Sequence, residues 1–372
     1  MNQLIFFNIR IKFVNYFYAR NSKFYLSICI FYAIIGGMKK IFFKTIAFML
    51  FMTLFASCGG GKRKIFGDGK TPLERYGALN VQGTQLCGQD GKPVQLCGMS
   101  SHGLHWYGKF ANYDVIKWLR DDWNCDIWRA AMYTRGGYLG NKSVVSKVID
   151  SIEAAKQLGI YVIVDWHILS DNDPLVNVDA AAEFFDMIAS TYADCPNIIY
   201  EICNEPNGED VTWDGNIKPF AERIIPVIRK YCDNLIIVGT PIWSSDLLSA
   251  AKNPITGQKN LMYTYHFYAG TTGQDGRNVV SKALKQGLPV FVTEWGTTQA
   301  SGDGGVFEKE TLEWTRFMAK KKISWVNWSV NNKGEDSGVL KMNKDRNAKG
   351  EWKEEDLSKS GILVRKILRG EE

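Results

Sequence analysis

The chain has 372 residues, 45% of them hydrophobic and 13% aromatic with 12 tryptophans, enough apolar material for one large domain or two ordinary ones. Its formal charge of +6 comes from the N-terminus: residues 1–64 carry ten basic and no acidic side chains, while residues 65–372 carry 35 basic against 39 acidic, a net of −4. That excludes a nucleic-acid binder working through bulk charge, because the basic excess sits in a leader and not on a domain.

Residues 1–37 are apolar and basic and precede a better start at Met38, so they read as an upstream extension outside the fold. Residues 38–57 have the basic start Lys39-Lys40 and an apolar run ending in small residues, the pattern of a secretory signal. The ending "LFASCGGG" resembles a bacterial lipobox, in which Cys58 would be lipidated and become the mature N-terminus. The expectation is an exported protein on a periplasmic or cell-surface membrane, held only through a lipid anchor. Residues 58–72 read as a Gly-rich tether, and 73–372 as one folded domain. The domain's six cysteines show no CxxC and no metal-like His spacing, so no metal is expected. Cys87 and Cys97 flank "GQDGKPV"; a two-residue turn at Asp90-Gly91 would set Cys87 opposite Val94. No disulfide is assigned, and buried free thiols are expected.

Along the domain, an N-terminal β-hairpin is predicted near 80–96. Strands follow at 94–102, 126–133, 161–167, 197–205, 234–241, 261–268, 289–296 and 324–331, mostly as continuous apolar runs suited to parallel strands covered on both faces. Helical patterns lie between and after them, at 113–123, 143–159, 178–193, 217–231, 244–251, 278–287, 308–321 and 356–368, with Gly159 as a C-cap. This order and size predict an α/β fold, a single-domain (β/α)8 TIM barrel. A doubly wound open sheet is the alternative; no GxGxxG follows the first strand, so no dinucleotide cofactor is expected.

In such a barrel the active site lies at the C-terminal strand ends. Polar residues gather there: His102 and His105, Arg129 and Tyr133, Asp165 and His167, Asn204 and Glu205, His266 and Tyr268, Glu294, and Asn327-Trp328. All four histidines fall at these predicted tips. Glu205 and Glu294, on the fourth and seventh strands, can face each other across the mouth, the equipment for glycoside hydrolysis. Metal binding is disfavoured because the histidines come from separate strands without HxH or HxxxH spacing. Asp165 reads as a group orienting Arg129 or His167, and Glu201 as a member of a structural ion pair.

The stretches "IYEICNEPNG", "VFVTEWGTT", "VIVDWH", "YTYHFYAG" and "SWVNWSVNNK" resemble glycoside hydrolase family 5, the retaining cellulase-type enzymes; "GMSSHGLHWYG" and "WRAAMY" resemble its bacterial endoglucanase branch. The resemblance spans roughly residues 75–340. It implies a cofactor-free retaining endo-β-1,4-glucanase with Glu205 as acid/base and Glu294 as nucleophile, their carboxyls about 5–5.5 Å apart. By the same resemblance Asn204 would bind the sugar 2-hydroxyl, Arg129 and Tyr268 would orient Glu294, and His167 and His266 would line the cleavage site. Trp328 would be the sugar platform on the non-reducing side, extended by Trp106, Tyr133 and Lys333, with Trp213 on the leaving-group side and His102 as a further substrate-binding residue. The expected partner is a β-1,4-linked polysaccharide, and a monomer is the expected state. A mannanase, a mixed-linkage or xyloglucan-active relative, and a non-enzymatic glycan-binding surface lipoprotein are the alternatives.

Overall fold

A computed structural model describes residues 67–342, 344 and 348–372. The chain divides into two units, Met1–Gly59 and Gly60–Glu372, and every described residue belongs to the second. The signal segment and Cys58 lie outside the described residues. No described helix is long and apolar enough to cross a membrane. The last residues of the expected tether take part in the fold: Asp68 pairs with Arg75 at 2.6 Å, and Thr71 and Glu74 form a reciprocal capping box on the helix Pro72–Tyr76.

Strands β1 (Asn80–Gln82) and β2 (Gln85–Cys87) form the antiparallel hairpin. The chain then returns so that Cys87 bridges Pro93, one residue short of the expected Val94. The reason is Gly91, whose φ of +77° adds a left-handed residue to the turn; Gly91 N–H donates to Gly88 O, and Gly88 N–H to Lys92 O. All six described cysteines are free, five of them buried. Leu79, Leu86, Val94 and Leu96 pack on Ile127, Tyr161, Ile163, Ile199, Ile237, Met262, Phe291 and Val326. The hairpin thus plugs the N-terminal end of the barrel with an apolar layer.

The barrel is closed and wholly parallel, in the order β10-β3-β4-β5-β6-β7-β8-β9. Its strands are β3 (Cys97–Ser101), β4 (Ile127–Tyr133), β5 (Tyr161–His167), β6 (Ile198–Glu201), β7 (Ile236–Val238), β8 (Leu261–Tyr268), β9 (Val290–Gly296) and β10 (Trp325–Val330). Each lies inside its predicted span. The outer ring is α1 (Tyr113–Asp121), α2 (Val145–Leu158), α3 (Val178–Thr191), α4 (Lys218–Arg229), α5 (Leu247–Lys252), α6 (Gln274–Lys285), α7 (Glu308–Lys321) and α8 (Lys359–Arg369). Side-chain caps fix several starts: Asn112 accepts from Val115 N–H at α1, and Ser358 from Gly361 N–H at α8.

Residues two apart on a strand share a face, so Ile163, Asp165 and His167 all belong to the inner face of β5. Strand β9 breaks that rule. Thr264 pairs with Phe291 but His266 pairs with Glu294, two residues on β8 against three on β9. Toward β10, Val292 pairs with Trp325 and Trp295 with Asn327, again three against two. A bulge in β9 therefore inserts one residue. Strict alternation would carry Thr293 and Trp295 inward and Glu294 outward. With the bulge, Thr293 and Glu294 both serve the barrel interior, and Trp295 turns to the outer core, stacked on Phe267 at 5.7 Å.

Candidate active site

Arg129, fully buried on β4, is the hub. Its Nε and Nη2 fork onto Glu201 at 2.7 and 3.2 Å. Its Nη1 donates to Glu294 Oε2 at 2.9 Å, and its Nη2 also reaches Asn204 Oδ1 at 2.5 Å and Asp165 Oδ2 at 3.0 Å. Burial opposes the guanidinium charge, but Asp165, Glu201 and Glu294 outweigh it and hold Arg129 above its ordinary value. The other oxygen of Glu294 accepts from Tyr268 OH at 2.8 Å. Both Glu294 oxygens are thus held by donors. Asp165 and Glu201 play the structural parts expected of them. Asp165 touches both Arg129 and His167 Nδ1, the latter at 2.6 Å, and burial pushes its carboxyl up to about 8 against the pull of Arg129.

Glu205 is reached differently. Strand β6 ends at Glu201, four residues earlier than the expected strand end. The chain continues extended, with Ile202 N–H donating to Ile237 O, Asn204 N–H to Trp166 O and Glu205 N–H to Ile168 O. Beside this segment runs Gly239, where a Cβ would lie 2.1 Å from Cys203 O; only glycine allows so close an approach. Glu205 Oε1 lies 2.9 Å from His266 Nδ1. Burial pushes Glu205 up to about 8, with Arg129 pulling it back. An oxygen of Glu205, an oxygen of Glu294 and a nitrogen of His266 all lie within 4.8 Å of one another. Three such donors have the makings of a metal site, but each is already engaged in a hydrogen bond with a protein partner.

Burial drives His266 down to about 4 and His167 well below its ordinary value, so both rings are neutral at pH 7. His167 packs on Tyr133 at 4.1 Å and stacks with Trp328 at 5.3 Å. Trp328 also lies 5.1 Å from His102 and is only 6% exposed, so it forms a wall of the site. His102 is buried against Tyr107 and Trp328, and burial together with the Lys333 charge lowers it to about 3. Lys333 pairs with Glu335 at 2.6 Å, and Glu335 lies 3.9 Å from His102 Nε2. His105 does not sit at a strand tip; it occupies the short helix Leu104–Tyr107, with its ring 3.7 Å from Trp106.

The tryptophans divide sharply. Trp106 is 59% exposed beside Tyr133. Trp213 is a correction to the sequence reading: it is 1% exposed, donates from Nε1 to Asn253 O at 2.8 Å and packs on Tyr263, so it belongs to the core. An exposed aromatic beside the segment that carries Glu205 is Trp243, 51% exposed, which sequence reasoning missed. It follows the C-terminal end of β7, and its N–H donates to Pro206 O, one residue from Glu205. Ile242, Trp243 and Ser244 all have φ between +53° and +57°, an uncommon and strained run for non-glycine residues. Ser244 Oγ donates to Asn204 O at 2.5 Å, tying this turn to the segment that carries Glu205. The available signal was a Trp directly after a strand's C-terminal end in "GTPIWSS".

A parallel barrel with two carboxyls at its mouth, one gripped by Arg129 and Tyr268 and the other held neutral, defines a glycoside hydrolase of the two-carboxylate class. Residues 87–334 match the model of the cellulase family, glycosyl hydrolase family 5, and the chain belongs to that family. It is 55% identical over 281 residues to endoglucanase A of Evansella cellulosilytica, covering 75% of this chain and 57% of that protein. It is 48% identical over 301 residues to endoglucanase 5 of Pectobacterium carotovorum, covering 80% and 59%. The chain therefore spans less than two thirds of the length of these two curated relatives. Among solved structures it resembles the catalytic domain of Thermobifida fusca endoglucanase Cel5A in complex with cellotetraose, at 40% identity and a TM-score of 0.77, covering 81% of this chain and all of that one.

Proposed function

We propose that the protein is a retaining endo-β-1,4-glucanase that cuts internal bonds of cellulose or related β-glucans. The observation that carries this is the carboxyl pair: oxygens of Glu205 and Glu294 lie within 4.8 Å, Glu205 is pushed up to about 8 by burial, and both Glu294 oxygens are held by donors, Arg129 and Tyr268. Inverting enzymes leave about 6.5–9.5 Å between the two groups for a water, whereas retaining ones keep them near 5–5.5 Å. The names of the relatives and the cellotetraose in the related structure support the substrate class.

In the first step the Glu294 carboxylate attacks the anomeric carbon and forms an ester bond. The glycosidic C–O bond breaks, and the Glu205 proton passes to the leaving oxygen. In the second step water attacks the anomeric carbon, gives its proton to the Glu205 carboxylate, and Glu294 leaves as carboxylate. Arg129 and Tyr268 hold Glu294 for attack, and Asn204, held by Arg129 and Ile168 O, is the residue assigned to the sugar 2-hydroxyl. Trp106, beside Tyr133, and Trp243, beside the Glu205 segment, are exposed rings available for sugar stacking. The buried Glu201 keeps Arg129 charged and oriented.

Assay of the purified protein on carboxymethyl-cellulose, barley glucan, xyloglucan, xylan and mannan tests the assignment. Rapid viscosity loss on carboxymethyl-cellulose is expected; turnover of mannan alone would overturn it. The lipobox at Cys58 supports a lipid-anchored, exported enzyme; Cys58→Ala should then abolish labelling by radioactive palmitate and release the protein from membranes.

A further inference from the structure

Behind His266 lies a closed set of hydrogen bonds in which the place of every proton can be counted. Thr264, Thr293 and Glu201 are all fully buried. Glu201 accepts the two-pronged fork of Arg129, the geometry of an ionised carboxylate, so it has no proton to give. Thr293 Oγ1 lies 2.6 Å from Glu201 Oε1 and must donate there. A hydroxyl has one proton, so toward its other neighbours Thr293 can only accept. Those neighbours are Thr264 Oγ1 at 2.6 Å and His266 Nε2 at 2.9 Å. Thr264 Oγ1 in turn accepts from Thr293 N–H at 3.1 Å, which leaves its own proton for Thr293.

His266 Nε2 must therefore carry a hydrogen. A neutral imidazole has only one, so Nδ1 is bare. That bare nitrogen is 2.9 Å from Glu205 Oε1, and two acceptors at that distance would repel. We propose that the Thr264–Thr293 pair, backed by Glu201, locks His266 in its Nε2–H tautomer, so that Nδ1 accepts a hydrogen bond only from a protonated Glu205. This deepens the acid/base assignment of Glu205 and rests on it. A partner that bonds only the neutral carboxyl favours that form, which is the form the first step consumes. Thr264 and Thr293 touch no substrate and act as positioning residues. His167 is the built-in contrast. Asn204 Oδ1 accepts from Arg129, which turns the amide NH2 toward His167 Nε2 at 3.3 Å; His167 is then the Nδ1–H tautomer, donating to Asp165.

The four histidines of the chain make the test direct. Long-range 1H–15N correlation spectra of histidine-labelled protein at pH 7 should show His266 as Nε2–H and His167 as Nδ1–H. Finding His266 as Nδ1–H, or as imidazolium, overturns the proposal. In the activity arm, Thr293→Val should lower kcat/KM roughly tenfold or more on cello-oligosaccharides, a part of the roughly 10²–10⁴-fold that general acid catalysis supplies. It should barely affect 2,4-dinitrophenyl cellobioside, whose leaving group needs no proton, and Thr293→Ser should restore the oligosaccharide rate. Equal loss on both substrates, or no rescue by serine, refutes the positioning role. If the unaltered protein cleaves no β-glucan, the function assignment fails while the spectrum still decides the tautomer.

Discussion

Arg129→Met removes the one cation from a cluster that is otherwise carboxyl and amide. Asp165 at 3.0 Å, Glu201 at 2.7 Å and Glu294 at 2.9 Å all lose it, and Arg129, Asp165 and Glu201 are fully buried. Stripping one partner from a buried ion pair costs about 3–5 kcal/mol because it leaves uncompensated charge. With more than one carboxylate left bare, the upper end is expected, a fall in Tm of roughly 10 °C or more for a domain of this size. The sign of the pH dependence follows. Burial already raises Asp165 and Glu201 against the pull of Arg129, and without Arg129 that rise is unopposed. Stability from their neutral forms is present at low pH and is lost as pH rises through the folded values. The gap between variant and parent should therefore narrow on going from pH 8 to pH 5, by up to about 1.4 kcal/mol per pH unit for each carboxyl that takes up a proton. Thermal unfolding followed by circular dichroism across that range measures it. A loss below about 1 kcal/mol, or a gap that does not change with pH, would refute the reasoning that Arg129 neutralises the cluster.

For Glu205, lifted by burial to about 8, kcat/KM on cello-oligosaccharides should fall about tenfold per pH unit above that value, while an activated aryl cellobioside shows no such limb in its first step; a limb near 4.5 would contradict it. Glu294→Ala should abolish turnover, and azide should restore cleavage with inverted product; absence of rescue would count against Glu294 as nucleophile. Trp213→Ala should cost about 3–5 kcal/mol of stability in denaturant unfolding, as for a buried tryptophan. Trp106→Ala and Trp243→Ala should leave stability within about 1 kcal/mol of the parent but raise KM for long oligosaccharides; the reverse pattern would undo their placement.

The continuous apolar runs, taken in turn with amphipathic helical stripes, specified the barrel, because burying a parallel strand on both faces and a helix on one is a local property of the chain. The same patterns placed Asn204-Glu205 and Glu294 on the C-terminal side of the barrel, although β6 itself stops at Glu201 and Asn204-Glu205 lie in the segment beyond it, and the family resemblance paired the two glutamates. Three features waited for the tertiary structure. The bulge that turns Glu294 inward and Trp295 outward depends on how β9 pairs with β8 and β10, which its own residues do not encode in any period. Whether a Trp lines a groove or fills a core depends on what packs over it: Trp213 lies under Tyr263, while Trp243 stands open on a turn anchored to Pro206 and Asn204. The proton on His266 is set by Thr264 and Thr293 on two strands and by Glu201 on a third. A residue's type and neighbours decide what chemistry it can offer; only the closed barrel decides which atoms share a proton.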